Sequence, residues 1–228
     1  MSTTGGRHAD DARPRRPGHA APGEHRLECF FDCSSPWTYL CFHNLPAVAA
    51  RSGVAVRWRP ILVGGVFNTV NPSVYASREN PVPAKQDYMV KSMADWARLA
   101  GIEINFPPPV FPVNSVRVMR ACFALQDDPR MTDFARAAFE AYWGSGIDIS
   151  TEAAFVDICK ACGLDPDDML SRAGSDAARA GLRANTDELI ARGGFGSPTM
   201  FVDGDDMYFG NDALPLVEAA LARGPAAR

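Results

Sequence analysis

Residues 27–32 form a short apolar run that stops at Cys33-Ser34-Ser35-Pro36, and a helical pattern starts immediately afterwards. Such a run, bounded by polar residues, reads as a buried strand. Pro36 suits the first turn of a helix, where a missing N–H is not needed. The helical spacing continues through Tyr39, Leu40, His43, Leu45 and Val48, with Pro46 expected to kink or end it. After Ser52-Gly53, residues 54–58 alternate as a second strand would. A strand, a helix and a strand in this order open many α/β domains.

The middle of the chain has a different rhythm. Residues 61–83, rich in Gly, Asn and Pro, are expected to be loop. Helical periods then take over, with Met89, Met93, Trp96 and Ala100 on one face, Phe134, Ala138 and Tyr142 on another, and Phe155, Ile158 and Cys162 on a third. Asp165-Pro166-Asp167 predicts a capped helix start, and a further helix is predicted from about 177 to 191, stopping at Gly193-Gly194. Strands at 199–202 and 207–209 flank Asp203-Gly204-Asp205-Asp206, a hairpin signal, and Asn211-Asp212 caps a closing helix from 213 to about 222. A helical block between two halves of an α/β unit predicts an inserted domain. Residues 1–25 have no aromatic side chain and no β-branched run beyond Thr3 and Thr4, so they are expected to form a disordered tail.

Composition removes several classes of function. A net charge of −4 leaves no electrostatic footprint for nucleic acid. The four histidines are His8, His19, His25 and His43, and the first three fall in the expected tail. A Ser-His-Asp triad or a multi-histidine metal site has little to draw on, so no metal is expected. Six cysteines without an apolar leader read as reduced thiols of a cytoplasmic protein. No run of about 18 apolar residues is present, so no membrane span is expected.

Three places could carry chemistry. Ser35 stands where the strand meets the helix, and backbone N–H groups and the helix dipole stabilise an anion there. On local sequence alone, a plain helix cap at Ser34 or Ser35 is the better reading. Ser197-Pro198 precedes the third strand; a cis bond there would leave the Ser197 backbone open to an extended ligand, and a trans proline would only mark a strand edge. Asn211 and Asp212 put an amide and a carboxylate at the last helix, either to hold an ammonium group or to cap.

Taken together, the motifs resemble a family. They are residues 30–40 (Phe-Phe-Asp-Cys-Ser-Ser-Pro-Trp-Thr-Tyr-Leu), Arg59-Pro60 with Gly64-Gly65-Val66-Phe67, and Val82-Pro83-Ala84-Lys85 with Tyr88-Met89. Asn105-Phe106-Pro107, Ala141-Tyr142-Trp143 with Asp148-Ile149-Ser150, Arg183-Ala184-Asn185-Thr186, and Phe195 to Thr199 through Gly210-Asn211-Asp212 complete the set. In order and spacing the chain resembles the 2-hydroxychromene-2-carboxylate isomerases and the kappa-class glutathione transferases, of the DsbA-like branch of thioredoxin folds.

The resemblance implies an α/β thioredoxin-like fold with an inserted all-helical domain, divided as 26–75 and 186–228 for the thioredoxin part and 76–185 for the insertion. It implies glutathione as cofactor, an aromatic carboxylate as substrate in aromatic compound degradation, and a homodimer. Ser35 matches the serine that contacts the glutathione sulfur, where DsbA-type oxidoreductases carry their first active cysteine. Ser197, before cis Pro198, matches the residue that pairs with the glutathione backbone. Asn211 and Asp212 match the pair that binds the γ-glutamyl group, and Asn71 and Lys85 match the residues that complete the pocket. Cys33, Trp37 and Thr38 depart from the family pattern. Cys33 is expected to be a packed core thiol, although a thiol there could form a mixed disulfide with glutathione. Cys159 and Cys162 have redox spacing but lie inside a helical pattern, and are expected to pack. Three other readings stay open: a glutathione transferase or isomerase of another unsaturated acid, a disulfide oxidoreductase, and a non-enzymatic glutathione-binding module. The missing cysteines at 35 and 38 argue against the second.

Overall fold

A computed structural model describes residues 25–223. Strand β1 (Leu27–Phe31) leads into helix α1 (Pro36–Arg51), which returns the chain to β2 (Val56–Pro60), paired parallel to β1. At the far end of the chain, β3 (Thr199–Val202) pairs antiparallel with β1, and β4 (Asp206–Phe209) pairs antiparallel with β3. The sheet order is therefore β2-β1-β3-β4, the thioredoxin arrangement that the resemblance implied. β1 is central and almost wholly buried, which explains why its sequence is apolar on both faces. Leu27 and Cys29 pack with Leu45 and Val48 of α1 and with Val217 and Leu221 of α10 (Leu214–Leu221). Phe30 faces the opposite layer, against Ile61, Val66, Leu189 and Phe201.

Of two expectations for this layer, the possible end of α1 at Pro46 is not seen and the loop at 61–83 is corrected. Helix α1 runs through Pro46 without ending, because Leu45, Val48 and Ala49 on its buried face hold the last turns onto the sheet. A mid-helix proline costs about 3 kcal/mol, and burying two or three such aliphatic side chains outweighs that. Residues 61–83 are not loop: they form α2 (Val63–Val70) and α3 (Ser73–Glu79), and α4 (Pro83–Ala100) begins at their end. Helix α2 starts where it does because distant groups take its first donors. The Val63 N–H donates to Asp32 Oδ2 at 2.8 Å and the Leu62 N–H to Thr186 Oγ1 at 3.1 Å.

Between the halves lie α4, α5 (Val116–Ala124), α6 (Met131–Phe139), a π-helical turn (Glu140–Gly144), α7 (Glu152–Ala161) and α8 (Pro166–Gly174). Asp165 caps α8 as its sequence predicted, accepting from the Asp167 and Asp168 N–H groups. This block docks on α1 through aromatic rings. Tyr39 stacks on Phe139 at 5.3 Å, and Phe42 lies 5.2 Å from Phe139 and 4.2 Å from Trp58. Helix α9 (Asp176–Ala191) then carries the chain back to the sheet without a break, so the expected division at 185/186 falls inside one helix. Asn185 and Thr186, both buried, are its attachment: Asn185 Nδ2 donates to the Pro60 carbonyl at 3.0 Å.

His25 belongs to the folded body and not to the tail expected for residues 1–25. Its Nδ1 lies 2.9 Å from Asp203 Oδ2, and the Asp203 N–H donates to the Arg26 carbonyl at 2.9 Å. The chain entering β1 is thus pinned to the β3–β4 turn. The rest of the expected tail, residues 1–24, lies outside the described residues.

Candidate active site

The site forms where β1 ends. Asp32, 1% exposed, is the last residue before the turn. Its Oδ1 accepts from the Ser34 N–H at 2.9 Å, its Oδ2 from Val63, and the Ser115 hydroxyl donates to the same carboxylate. Burial pushes this carboxyl above its ordinary range, and the donors hold it only partly in check. One buried acid thus ties together the turn, α2 and α5.

Ser35 follows as the cap of α1. Its Oγ accepts from the Thr38 N–H at 3.2 Å, and its hydroxyl donates to the Ser197 carbonyl at 3.2 Å. Capping and facing the site are therefore not alternatives for this residue; it does both. Pro36 has no N–H and Thr38's is taken, which leaves that of Trp37 at the positive end of a 16-residue helix.

The Ser197–Pro198 peptide is cis. The Ser197 side chain turns inward: its Oγ accepts from the Asp32 N–H at 3.0 Å and lies 2.8 Å from Thr38 Oγ1. Asn71 ends α2, donating through Nδ2 to the Phe195 carbonyl at 3.2 Å, and so holds the approach to Gly196 and Ser197. Asn211 is 1% exposed; its Oδ1 accepts from Asn44 Nδ2 at 3.0 Å, while its own Nδ2 is buried without a partner among the described residues. The Gly210 N–H donates to the Pro198 carbonyl at 3.1 Å, which sets Asn211 and the exposed Asp212 beside the cis peptide. Gly210 has φ +90°, and a Cβ there would stand 2.5 Å from Asp212 Oδ1, so this corner requires glycine. Lys85 is exposed in the first turn of α4, and among the described residues its side chain forms no hydrogen bond or ion pair with the other candidates.

Aromatic rings wall this junction. Phe67 and Phe209 close on Gly196 from one side, with Phe195 4.5 Å from Phe209. On the other side Trp143 donates through Nε1 to the Cys33 carbonyl at 2.9 Å, and Phe106 and Phe111 each lie 6.3 Å from Trp143. Cys33 itself is fully buried beside Met119 and Cys122, and burial pushes its thiol well up. Cys159 is buried at the end of α7, with its thiol pushed up to about 11 by burial. Neither is an exposed, activated thiol.

This geometry has relatives. The DsbA-like thioredoxin domain model matches residues 26–222. The chain is 30% identical to a 2-hydroxychromene-2-carboxylate isomerase of Pseudomonas putida over 86% of its own length and 94% of the relative's. The chain belongs to the 2-hydroxychromene-2-carboxylate isomerase family, within the DsbA-like thioredoxin domains. A second isomerase of that name, from Sphingobium xenophagum, is 30% identical over 86% of this chain and 97% of that one. A kappa-class glutathione transferase of Caenorhabditis elegans is 28% identical over 90% and 96%. Among solved structures, a 2-hydroxychromene-2-carboxylate isomerase superimposes with a TM-score of 0.73 at 28% identity, covering 86% of this chain and 94% of that one. Pseudomonas aeruginosa DsbA shares the fold, with a TM-score of 0.54 at 17% identity over 92% and 88%. Among the described residues no helix is long and apolar enough to cross a membrane, and no three His, Cys, Asp or Glu side chains gather as a metal site would require.

Asp32 is a site residue outside the sequence candidates, although an acid ending a buried strand three residues before Ser35 is a visible signal. Thr38 stands out in the sequence only as a departure from relatives. The inward Thr38–Ser197 contact joins residues 159 positions apart, and no local pattern announces it. Trp143 and Asn44 act through similarly long-range bonds.

Proposed function

We propose that the chain is a glutathione-dependent isomerase that interconverts 2-hydroxychromene-2-carboxylate and trans-o-hydroxybenzylidenepyruvate. Its membership of the family makes it an isomerase; the glutathione and the substrate are the finer reading. The observation that carries that reading is the Ser35 hydroxyl, capping the positive end of α1 and directed at the Ser197 carbonyl of a cis peptide, with no exposed thiol of the protein's own beside it.

The residues present suit a bound tripeptide thiol. Asn211 has a buried amide nitrogen without a partner among the described residues, Asp212 is an exposed carboxylate next to it, and the Ser197 backbone edges the same corner. Asn211 and Asp212 would take the γ-glutamyl group, Ser197 and Pro198 the backbone, and Asn71 and Lys85 the remaining polar groups. When bound, glutathione supplies a thiolate that adds reversibly to a conjugated double bond and leaves again, with no net redox change.

The protein's own part is to make that thiolate available and to hold the acid. A free thiol has a pKa of about 8.5, so only a few per cent is ionised at neutral pH. The Ser35 hydroxyl can rotate from the Ser197 carbonyl to donate to an anion, and the Trp37 N–H and the α1 dipole favour the same charge. The bond from Ser197 Oγ to Thr38 Oγ1 keeps the two elements in register, so the donor is in place before reaction. The aromatic walls offer apolar faces against which a planar substrate could lie. The same reading takes the protein as a cytoplasmic homodimer working in aromatic compound degradation.

The test is a spectrophotometric isomerisation assay with and without glutathione. Turnover that depends on glutathione is the expected result. Equal turnover in both would remove the cofactor from the reading. Tight glutathione binding without turnover would move the substrate to another unsaturated acid or to a transferase acceptor.

A further inference from the structure

Arg78, exposed on α3, spans the mouth of the site. Its guanidinium carbon lies 5.8 Å from the Phe67 ring and 5.6 Å from the Phe111 ring, which belong to opposite walls. Each wall leads inward to Ser35. Phe67 Cε1 is 3.8 Å from the place a Cβ on Gly196 would occupy, next to Ser197, whose carbonyl takes the Ser35 hydroxyl. Phe111 lies 5.3 Å from Phe106, and both rings flank Trp143, which is bonded to the carbonyl of Cys33.

Many other arginines of the chain are committed: Arg59, Arg192, Arg98 and Arg136 all have carboxylate partners. Arg78 has none among the described residues, nor does any side-chain hydrogen bond of its own appear there. Aromatic faces attract the charge but accept none of the guanidinium's five N–H donors in the way an anion does. A cation held by two rings at the entrance, with its donors uncommitted, suits a planar acid: rings for the conjugated system and a fork for the carboxylate.

We propose that Arg78 receives the carboxylate of the second substrate, a planar conjugated acid lying between the Phe67 wall and the Phe106–Phe111 wall, and so selects anionic acceptors over neutral ones. This rests on the isomerase reading for the identity of the substrate, but its test does not require turnover. Wild type, Arg78→Gln and Arg78→Lys, each saturated with S-methylglutathione, are titrated calorimetrically with cinnamate and with methyl cinnamate. Wild type is expected to prefer the acid by about tenfold or more, the scale of a charge-assisted pair. Arg78→Gln should erase that preference and Arg78→Lys keep part of it, with affinity for S-methylglutathione unchanged. With the true substrate, Arg78→Gln should raise KM while leaving kcat within about twofold, as loss of uniform binding does. Equal affinity of wild type for acid and ester overturns the proposal, as does a preference that survives in Arg78→Gln. Weakened S-methylglutathione binding in Arg78→Gln also overturns it, because the arginine would then serve the tripeptide. If the carboxylate preference holds but no isomerisation occurs, the function reading fails and the role of Arg78 stands.

Discussion

Thr38 Oγ1 and Ser197 Oγ lie 2.8 Å apart in the interior, one on the first turn of α1 and the other before the cis proline. The Asp32 N–H also donates to Ser197 Oγ, so a single hydroxyl joins the end of β1, the start of α1 and the approach to β3. Thr38 occupies the place where a Cys-x-x-Cys pair would put its second sulfur. Here that position holds the site together.

Replacing Thr38 by Val keeps the shape and removes the hydroxyl. The Ser197 hydroxyl then keeps the Asp32 N–H but loses its other partner in a buried place. The expected cost is about 1–2 kcal/mol of stability, measured by urea unfolding. Ser197→Ala should cost more, because it also leaves the buried Asp32 N–H without its acceptor, and the double variant clearly less than the sum, since both substitutions remove the Thr38–Ser197 bond. Strict additivity would mean that the 2.8 Å contact contributes nothing.

Much of the architecture was legible because it is written locally. The apolar run of β1, the Asp203-Gly204 turn, the Asp165 cap of α8 and the Gly193 stop after α9 all depend on neighbours in sequence. What escaped depends on distant partners. Helix α2, with Gly64 and Gly65 in its first turn, has poor intrinsic propensity and forms where Asp32 and Thr186 take its leading donors. Pro46 was overruled by packing, and His25 by Asp203. In the site, Ser35 and Ser197 stood out as a strand–helix junction and an X–Pro step. The position of Arg78 between two rings depends on walls that are 44 residues apart in the chain, Phe67 and Phe111.

Ser35 has two roles that substitution can separate. Ser35→Ala removes both cap and donor, so it should lose about 1 kcal/mol of stability and at least about tenfold in turnover, the value of a hydrogen bond to a charged sulfur. Ser35→Gly is tolerated as a cap at a cost of a few tenths of a kcal/mol, yet also lacks the hydroxyl. Thermal melts and steady-state assays on both should show equal losses of turnover and unequal losses of stability. Near-wild-type turnover in the glycine variant would remove Ser35 from the chemistry.

Asp32 makes stability depend on pH in a definite direction. Its folded pKa is raised above the ordinary carboxyl value of 3.8, chiefly by burial, so the folded state holds this proton more tightly than the unfolded state. The contribution is fully present below 3.8 and is lost as pH rises through the raised folded value. Asp32→Asn cannot ionise, so its stability should lack this decline. Denaturation of both proteins from acid to neutral pH measures the difference. Parallel curves would mean that the carboxylate loses nothing on burial, its donors compensating in full.

The fold permits redox chemistry at the start of α1, and this sequence is expected to withhold it. Disulfide exchange needs an accessible thiolate, and a helix N-terminus lowers a thiol's pKa where one is present. At that place this chain carries Ser35 and Thr38. Cys33, two residues away, is sealed under Trp143 and Met119, and burial pushes its thiol well up. Cys159 and Cys162 have the right spacing in the wrong setting: with Cys159 pushed up to about 11 by burial, roughly one molecule in ten thousand would hold that thiolate at neutral pH. The wild-type protein should therefore show negligible insulin reduction with a dithiol reductant, at the rate of the reductant alone. The double substitution Ser35→Cys with Thr38→Cys puts two thiols one turn apart at the positive end of α1. It should raise that rate well above background and titrate at least one thiol below the free value of about 8.5. Thiol alkylation as a function of pH reads the second effect directly. If wild type reduces insulin and Cys159→Ser abolishes it, the helical pair is reactive despite its burial. If the double substitution stays silent, the α1 terminus does not stabilise a thiolate, and the assignment of Ser35 to a borrowed one falls with it.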